Sequence, residues 1–505
     1  MKNMFLSLIM FCGLISANAQ TPVLVEDIWP GSLSSDPGPL AVHNGRLYFY
    51  ANDTLDGREL FEYLNSGTGS SVLADMYPGG YGAGGPVARN DNMVSLNGKF
   101  YFPGCIAPGG PKILVYDGLN PPAVAPGLAA YYGTVVWELT ALGNKLYFAG
   151  DLGTSGSSLF SYDGVNPPVL VKRFATNASG SSSTQRMAYY KGKVYFSADS
   201  SGFGSALFAY DPATSVCSMV ADVNPGAANL YPATFLAVGD KLYFSGIDTN
   251  FSRKLFSYDG NSVKRLTTVQ PGFLGAGPSV GGFAPKMTFY KGAFFFRGTL
   301  SYVHDALFKY DTATGLTSLV CDVNPGGDPN LSELISTANN VYFCGRTAAS
   351  GLELWRYNGK TCTMVADLNP GTAPGVSISN LVAYEGGLYF NGSDGVKGNE
   401  LYRIWDVPGS NAGVQNTSWS GSVSLHPNPV TSAASLDITL QSPQSLRISL
   451  TDISGREVFS TGAHLFASGK NEVRIPMQGL ARGQYFYRIT GNGQQTLAGG
   501  TLLKP

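Results

Sequence analysis

The sequence predicts an all-β fold, an eight-bladed β-propeller followed by a small C-terminal β-sandwich. Three observations predict it. A short aromatic strand returns eight times, as Leu47-Tyr48-Phe49, Phe100-Tyr101-Phe102, Leu146-Tyr147-Phe148, Val194-Tyr195-Phe196, Leu242-Tyr243-Phe244, Phe294-Phe295-Phe296, Val341-Tyr342-Phe343 and Leu388-Tyr389-Phe390. The intervals of 53, 46, 48, 48, 52, 47 and 47 residues are those of a repeat architecture. Composition agrees: among 505 residues there are 64 glycines, 12% aromatics and only 13% charged residues, which suits turn-rich β structure. Beyond residue 420 the period stops and shorter strands with alternating apolar residues take over.

In chain order, residues 1–19 read as a secretory signal. Lys2 is the positive start, Met4–Ile15 the apolar core, and Ala17-Asn18-Ala19 the cleavage motif, with the cut between Ala19 and Gln20. No later apolar run approaches the ~18–20 residues that span a bilayer. The expected product is secreted or held on the outer cell surface after passing through the periplasm, with no membrane span. A net charge of −1 gives no field for nucleic acid.

Residues 20–406 carry the repeats, each with four candidate strands. In the fourth repeat these are Gln185–Tyr189, Lys193–Ala198, Ala206–Tyr210 and Ser218–Asp222. Asn44-Gly45, Asn97-Gly98, Gly143-Asn144 and Lys291-Gly292 precede the aromatic strand and supply the positive φ angles of tight hairpins. The third strand runs into Tyr-Asp-Gly, as at Tyr116-Asp117-Gly118 and Tyr162-Asp163-Gly164. The fourth runs into Asp222-Val223-Asn224-Pro225-Gly226, repeated at Asp322–Gly326 and Asp367–Gly371. Four-stranded units of ~45 residues joined by such turns are propeller blades. The last repeat lacks a fourth strand, and Leu24–Gly31 is a fourth strand with its Pro-Gly punctuation and nothing before it. The N-terminal strand therefore completes the last blade and closes the ring. A seven-bladed ring with one irregular unit is the alternative, because the second repeat lacks the Asp-x-Asn-Pro-Gly turn.

These repeats resemble the ELWxxDGT-repeat (hyalin-like) family of secreted bacterial proteins. The resemblance rests on Asp56-Gly57-Arg58-Glu59-Leu60-Phe61, Glu353-Leu354-Trp355-Arg356-Tyr357-Asn358-Gly359 and Gly398-Asn399-Glu400-Leu401, and implies little chemistry. Residues 407–420 form a Gly/Ser/Asn-rich linker. Residues 421–505 hold seven short strands, with alternation at Leu446, Ile448, Leu450 and at Val473, Ile475, Met477. They resemble the type A C-terminal sorting domain of the type IX secretion system of Bacteroidetes-like bacteria. Pro427, Asn428 and Pro429 open the domain, Gly455 follows Thr451-Asp452-Ile453-Ser454, and Gly483 and Tyr485 stand in Leu480–Phe486. The resemblance implies that the secretion machinery is a partner and that the tail addresses the protein across the outer membrane.

Propeller strands run from inside outward, so the connections between blades and the second-to-third turns share one face. The connections carry Asp27, Asp75, Asp222, Asp322 and Asp367, the candidate metal ligands. The turns carry Asp53, Asp56, Asp151, Asp199, Asp248 and Asp394, with Tyr81, Tyr131 and Tyr231 in nearby loops. Such a face suits a glycan or a protein ligand, and Ca²⁺ is the ion it would hold, though no cofactor is required. Turn-capping explains the same aspartates structurally, because Asp before Asn-Pro-Gly bonds its own backbone. On the opposite face the third-turn aspartates are placed to pair with Arg46, Lys99, Lys145, Lys193 and Lys241.

No nucleophile elbow, HExxH or phosphate loop appears, and no catalytic residue is assigned. The expected role is a surface or secreted binding and adhesion protein. A polysaccharide-active hydrolase or lyase, or a purely structural surface protein, is the alternative. Cys105, Cys217, Cys321, Cys344 and Cys362 lack CxxC spacing, which argues against zinc. Cys217, Cys321 and Cys362 read as small hydrophobes beside strands; one disulfide fits the number, with its partners open.

Overall fold

The computed structural model describes residues 22–64, 69–76, 93–106, 112–128, 135–151, 158–174, 185–200, 204–221, 230–249, 253–267, 287–301, 304–377, 381–406, 422–426, 430–440, 443–452, 457–491 and 496–504. The signal residues Ala19 and Gln20 lie outside them, as do Asp222, Tyr81, Tyr131, Pro427, Asn428, Pro429 and Gly455. The chain divides into two compact units, one of them Thr21–Asp406 and the other containing Val407–Pro505.

Among its described residues the first unit holds eight four-stranded antiparallel sheets, 1 to 8 in chain order. Seven span residues 40–72, 94–124, 135–173, 185–221, 233–265, 287–321 and 332–364. Sheet 8 has three strands within 382–405 and takes Val23–Glu26 as its fourth, antiparallel to Glu400–Trp405. First strands meet from sheet to sheet. Val135–Leu142 lies against Val94–Leu96 and Gln185–Tyr190, and Val382–Tyr384 lies against Leu40–His43.

The recurrent aromatic triplet is the second strand of each sheet, and it is buried on both faces. That is why it reads as an unbroken apolar run rather than an alternating one. Leu47 and Phe49 pack on Tyr389 and Leu401 of sheet 8, while Tyr48 and Tyr50 pack on Phe100 and Phe102 of sheet 2. The same division repeats: Phe148 faces sheet 2, and Tyr147 faces sheet 4. Each sheet therefore shares a core with the next, and sheet 8 shares one with sheet 1. Each fully buried aromatic contributes roughly 1.5–3 kcal/mol.

The hairpins before these strands turn where expected. Asn97 and Gly98 have φ of 51° and 76°, the left-handed pair a two-residue turn needs. The structure revises the sequence reading of the five mature cysteines at two positions. Cys321 and Cys362 are not lone hydrophobes: they form a disulfide with 6.3 Å between Cα atoms. It joins the outermost strands of sheets 6 and 7, a pairing invisible to a reading of each strand alone. Cys105 and Cys344 are buried and outside this disulfide.

The second unit has one sheet of Ser422–His426, Ala433–Leu440 and Gly469–Pro476 and another in the order Glu457–Phe466, Gln444–Asp452, Gly483–Thr490, Thr496–Lys504. One core serves both: Leu436, Ile438 and Ile475 meet Leu446, Ile448, Leu450 and Ile489. Strand Glu457–Phe466 runs on through the largely exposed Leu465, because its backbone stays paired with Gln444–Arg447. Gly483 opens the next strand, and the buried Tyr485 donates its hydroxyl to the Ala481 carbonyl at 2.7 Å. Lys504 Nζ donates to the carbonyls of Met477 and Leu480 at 2.8 and 2.7 Å, pinning the terminal strand to that turn.

Candidate ligand face

The connections between sheets are shaped by a device that the sequence reading passed over. Glu59, Glu353 and Glu400 stand at the same place in their third strands, and all three are fully buried. Glu400 Oε2 accepts from Ile28 N at 2.9 Å and Ser35 Oγ at 2.6 Å, and its Oε1 accepts from Ser35 N at 3.1 Å. Glu353 accepts from Leu368 N at 3.1 Å and Gly375 N at 2.9 Å. Glu59 accepts from Met76 N at 3.2 Å. Each carboxylate thus clasps the connection leaving its own sheet, satisfying buried N–H groups that no ladder reaches. Burial pushes the Glu353 carboxyl up to about 7, against the pull of its two N–H donors, and raises Glu400 likewise.

A glycine two residues ahead completes the clasp. Gly351 N donates to Gly371 O at 2.8 Å and Gly398 N to Gly31 O at 3.3 Å, so the strand start binds the Pro-Gly turn. Part of the signal was present in the sequence: Gly57-Arg58-Glu59 and Gly351-Leu352-Glu353 precede Pro78-Gly79 and Pro370-Gly371 at similar distance, whereas the Pro30-Gly31 turn met by Gly398 stands at the other end of the chain.

The candidate aspartates sit around these connections. Asp53, Asp56 and Asp75 come together from both loop classes. The Asp56 carboxyl is raised by desolvation first and then by its neighbours Asp53 and Asp75. Asp53 Oδ1 also accepts from Leu55 N and Asp56 N at 2.9 and 2.7 Å, a turn cap. Asp394 repeats that cap on Val396 N and Lys397 N at 2.9 and 2.8 Å, while Lys397 Nζ reaches Asp27 at 2.8 Å. Asp322 accepts from Asn324 N at 3.0 Å and faces His304 Nε2 at 3.0 Å. Asp248 is buried against Arg265 at 3.0 Å. Asp367 is exposed near Glu353. Asp151 and Asp199 end second strands, and their side chains are outside the description. Tyr231 holds a left-handed backbone with φ of 44°, and its carbonyl accepts from Arg253 at 3.1 Å.

Several of these acids therefore have a cation beside them. Among the described residues, no group of three or more His, Cys, Asp or Glu side chains is placed to hold a metal. On the opposite face Asp117 and Asp163 cap their own turns through Asn120 and Asn166, which hold both carboxyls at about 2. The expected pairing with hairpin bases is seen at Asp211 and Lys193, 3.3 Å apart. Arg46 instead pairs with Glu62 on the neighbouring third strand.

Residues 424–498 match the family described as the secretion system C-terminal sorting domain. That tail marks a type IX secretion cargo, secreted or carried on the outer cell surface. No helix among the described residues is long and apolar enough to cross a membrane. No curated protein is significantly similar to the chain. Among solved structures it is similar to PorZ of Porphyromonas gingivalis, a surface component of the type IX secretion system, at 15% identity over 92% of this chain and 70% of that one, with a TM-score of 0.40. It is also similar to the β-propeller domain of the trilobed protease from Pyrococcus furiosus, at 11% identity over 66% and 98% of the two chains, with a TM-score of 0.38. TolB from Acinetobacter baumannii follows at 13% identity over 56% and 82%, with a TM-score of 0.29.

Proposed function

We propose that this is an exported binding protein: an eight-bladed β-propeller of the ELWxxDGT-repeat type that takes a glycan on its connection face, with a C-terminal β-sandwich read by the type IX machinery. The meeting of Asp53, Asp56 and Asp75 carries the binding reading. Two carboxylates from a second-to-third turn and one from an inter-sheet connection lie close enough that, after desolvation, Asp53 and Asp75 add to the rise of the Asp56 carboxyl, and Lys397, Arg265 and His304 attend to acids elsewhere. Carboxylates so placed, Asp75 exposed and Asp53 and Asp56 half-buried, accept hydrogen bonds from sugar hydroxyls.

A glycan array with the mature protein, run in calcium and in chelator, tests this. The expected result is retention of one glycan class that falls at least tenfold in the Asp53→Asn, Asp56→Asn, Asp75→Asn triple variant. Retention unchanged by those substitutions would move the site elsewhere. No retention on any glycan would put a protein ligand or a structural role ahead.

A further inference from the structure

We infer that the Cys321–Cys362 pair is an oxidation site that is used only after sheets 6 and 7 have docked, by exchange with a disulfide donor outside the cytoplasm. The two cysteines are 41 residues apart and lie on the outermost strands of different sheets. In the unfolded chain they have a better-placed rival. Cys344 stands 18 residues before Cys362 and 23 after Cys321. Loop-closure entropy scales as (3/2)RT ln n, so an 18-residue loop closes about threefold more readily than a 41-residue one. Oxidation of the unfolded chain would therefore favour Cys344 as a partner.

The fold reverses that order. Cys344 is fully buried in the second strand of sheet 7, between Tyr342 and Leu354 in a shared core. Cys105 is buried as well. The Cys217 thiol is pushed up to about 11 by burial, which leaves little thiolate to attack a disulfide. Cys321 and Cys362 are half-buried at the rim, where a donor can reach them. One thiolate attacks the donor's disulfide to give a mixed disulfide, and the second thiolate displaces the donor as a dithiol. Two protons and two electrons leave the pair, and the donor takes up both. An exported protein meets such donors once it has left the reducing cytoplasm.

The full chain, purified reduced, would be oxidised with glutathione disulfide both in native buffer and in guanidinium chloride, and its disulfides mapped by mass spectrometry. Native oxidation is expected to give Cys321–Cys362 alone, and denatured oxidation to give Cys344–Cys362 over Cys321–Cys362 by about threefold. Cys344 pairs in the native arm, or a reduced chain that cannot fold, would overturn the inference. In cells, Cys344→Ala removes the rival. The yield of Cys321–Cys362 in exported protein should not change, and a two- to fourfold rise would mean that oxidation comes before folding.

Discussion

At the scale of single residues, the buried glutamates do the most work per atom. A carboxylate withdrawn from water is costly unless its oxygens are satisfied, and here the donors are backbone N–H groups that would otherwise be orphaned. Glu353 shows the balance in its titration. Unfolded, the carboxyl titrates at 4.5; folded, burial raises it to about 7. Between those values the native state binds a proton that the unfolded chain does not. The contribution of this residue to stability therefore falls as pH rises from about 4.5 to 7 and is level above that. Glu353→Gln should flatten that part of the pH profile while costing roughly 1–3 kcal/mol for the acceptor lost to one N–H. Urea denaturation at pH 5 and pH 8 measures both effects. An unchanged difference between the two pH values would show that Glu353 does not titrate in this window.

At the scale of elements, the hairpins and the aromatic strands were legible because their causes are local. Asn97-Gly98 needs only its own φ angles, and a strand buried on both faces announces itself as Phe100-Tyr101-Phe102. The Glu400 clasp was not legible, because Glu400 acts on Ile28 and Ser35, more than 360 residues away in sequence. The disulfide was hidden for the same reason: which outer strands face each other is a property of the ring. The acidic face was half legible. Loop class placed Asp53 and Asp75 near each other, but nothing in the sequence tied Asp27 to Lys397 or Asp248 to Arg265. The clasp makes its own prediction at this scale. A Cβ on Gly398 would sit 1.9 Å from the Leu33 carbonyl, whereas one on Gly98 meets nothing within 4 Å. Gly98→Ala should cost about 1 kcal/mol, for its left-handed backbone alone. Gly398→Ala should cost about 1–3 kcal/mol and loosen the 27–36 connection as well. Thermal unfolding that ranks the two variants the other way would remove the close-approach argument.

At the scale of the whole molecule, two self-sufficient cores divide the labour. The first is cyclic, sheet packed on sheet, and is closed by Val23–Glu26 against Glu400–Trp405 with no covalent bond at that junction. Glu400 reinforces it, because the residues it clasps lie just beyond the closing strand. The second core draws only on residues from Val423 to Leu502. Among the described residues, each core cluster of the first unit is made of residues of that unit. Removing residues 421–505 should therefore leave the first unit folded, with a thermal transition and a Cys321–Cys362 bond like those of the full chain, yet abolish delivery outside the cell. Comparing the medium and cell-surface fractions with the periplasm for both forms would separate the two roles. A truncated protein that is folded and still delivered would show that the ring carries its own address. One that is retained but unfolded would show that the two cores are not independent.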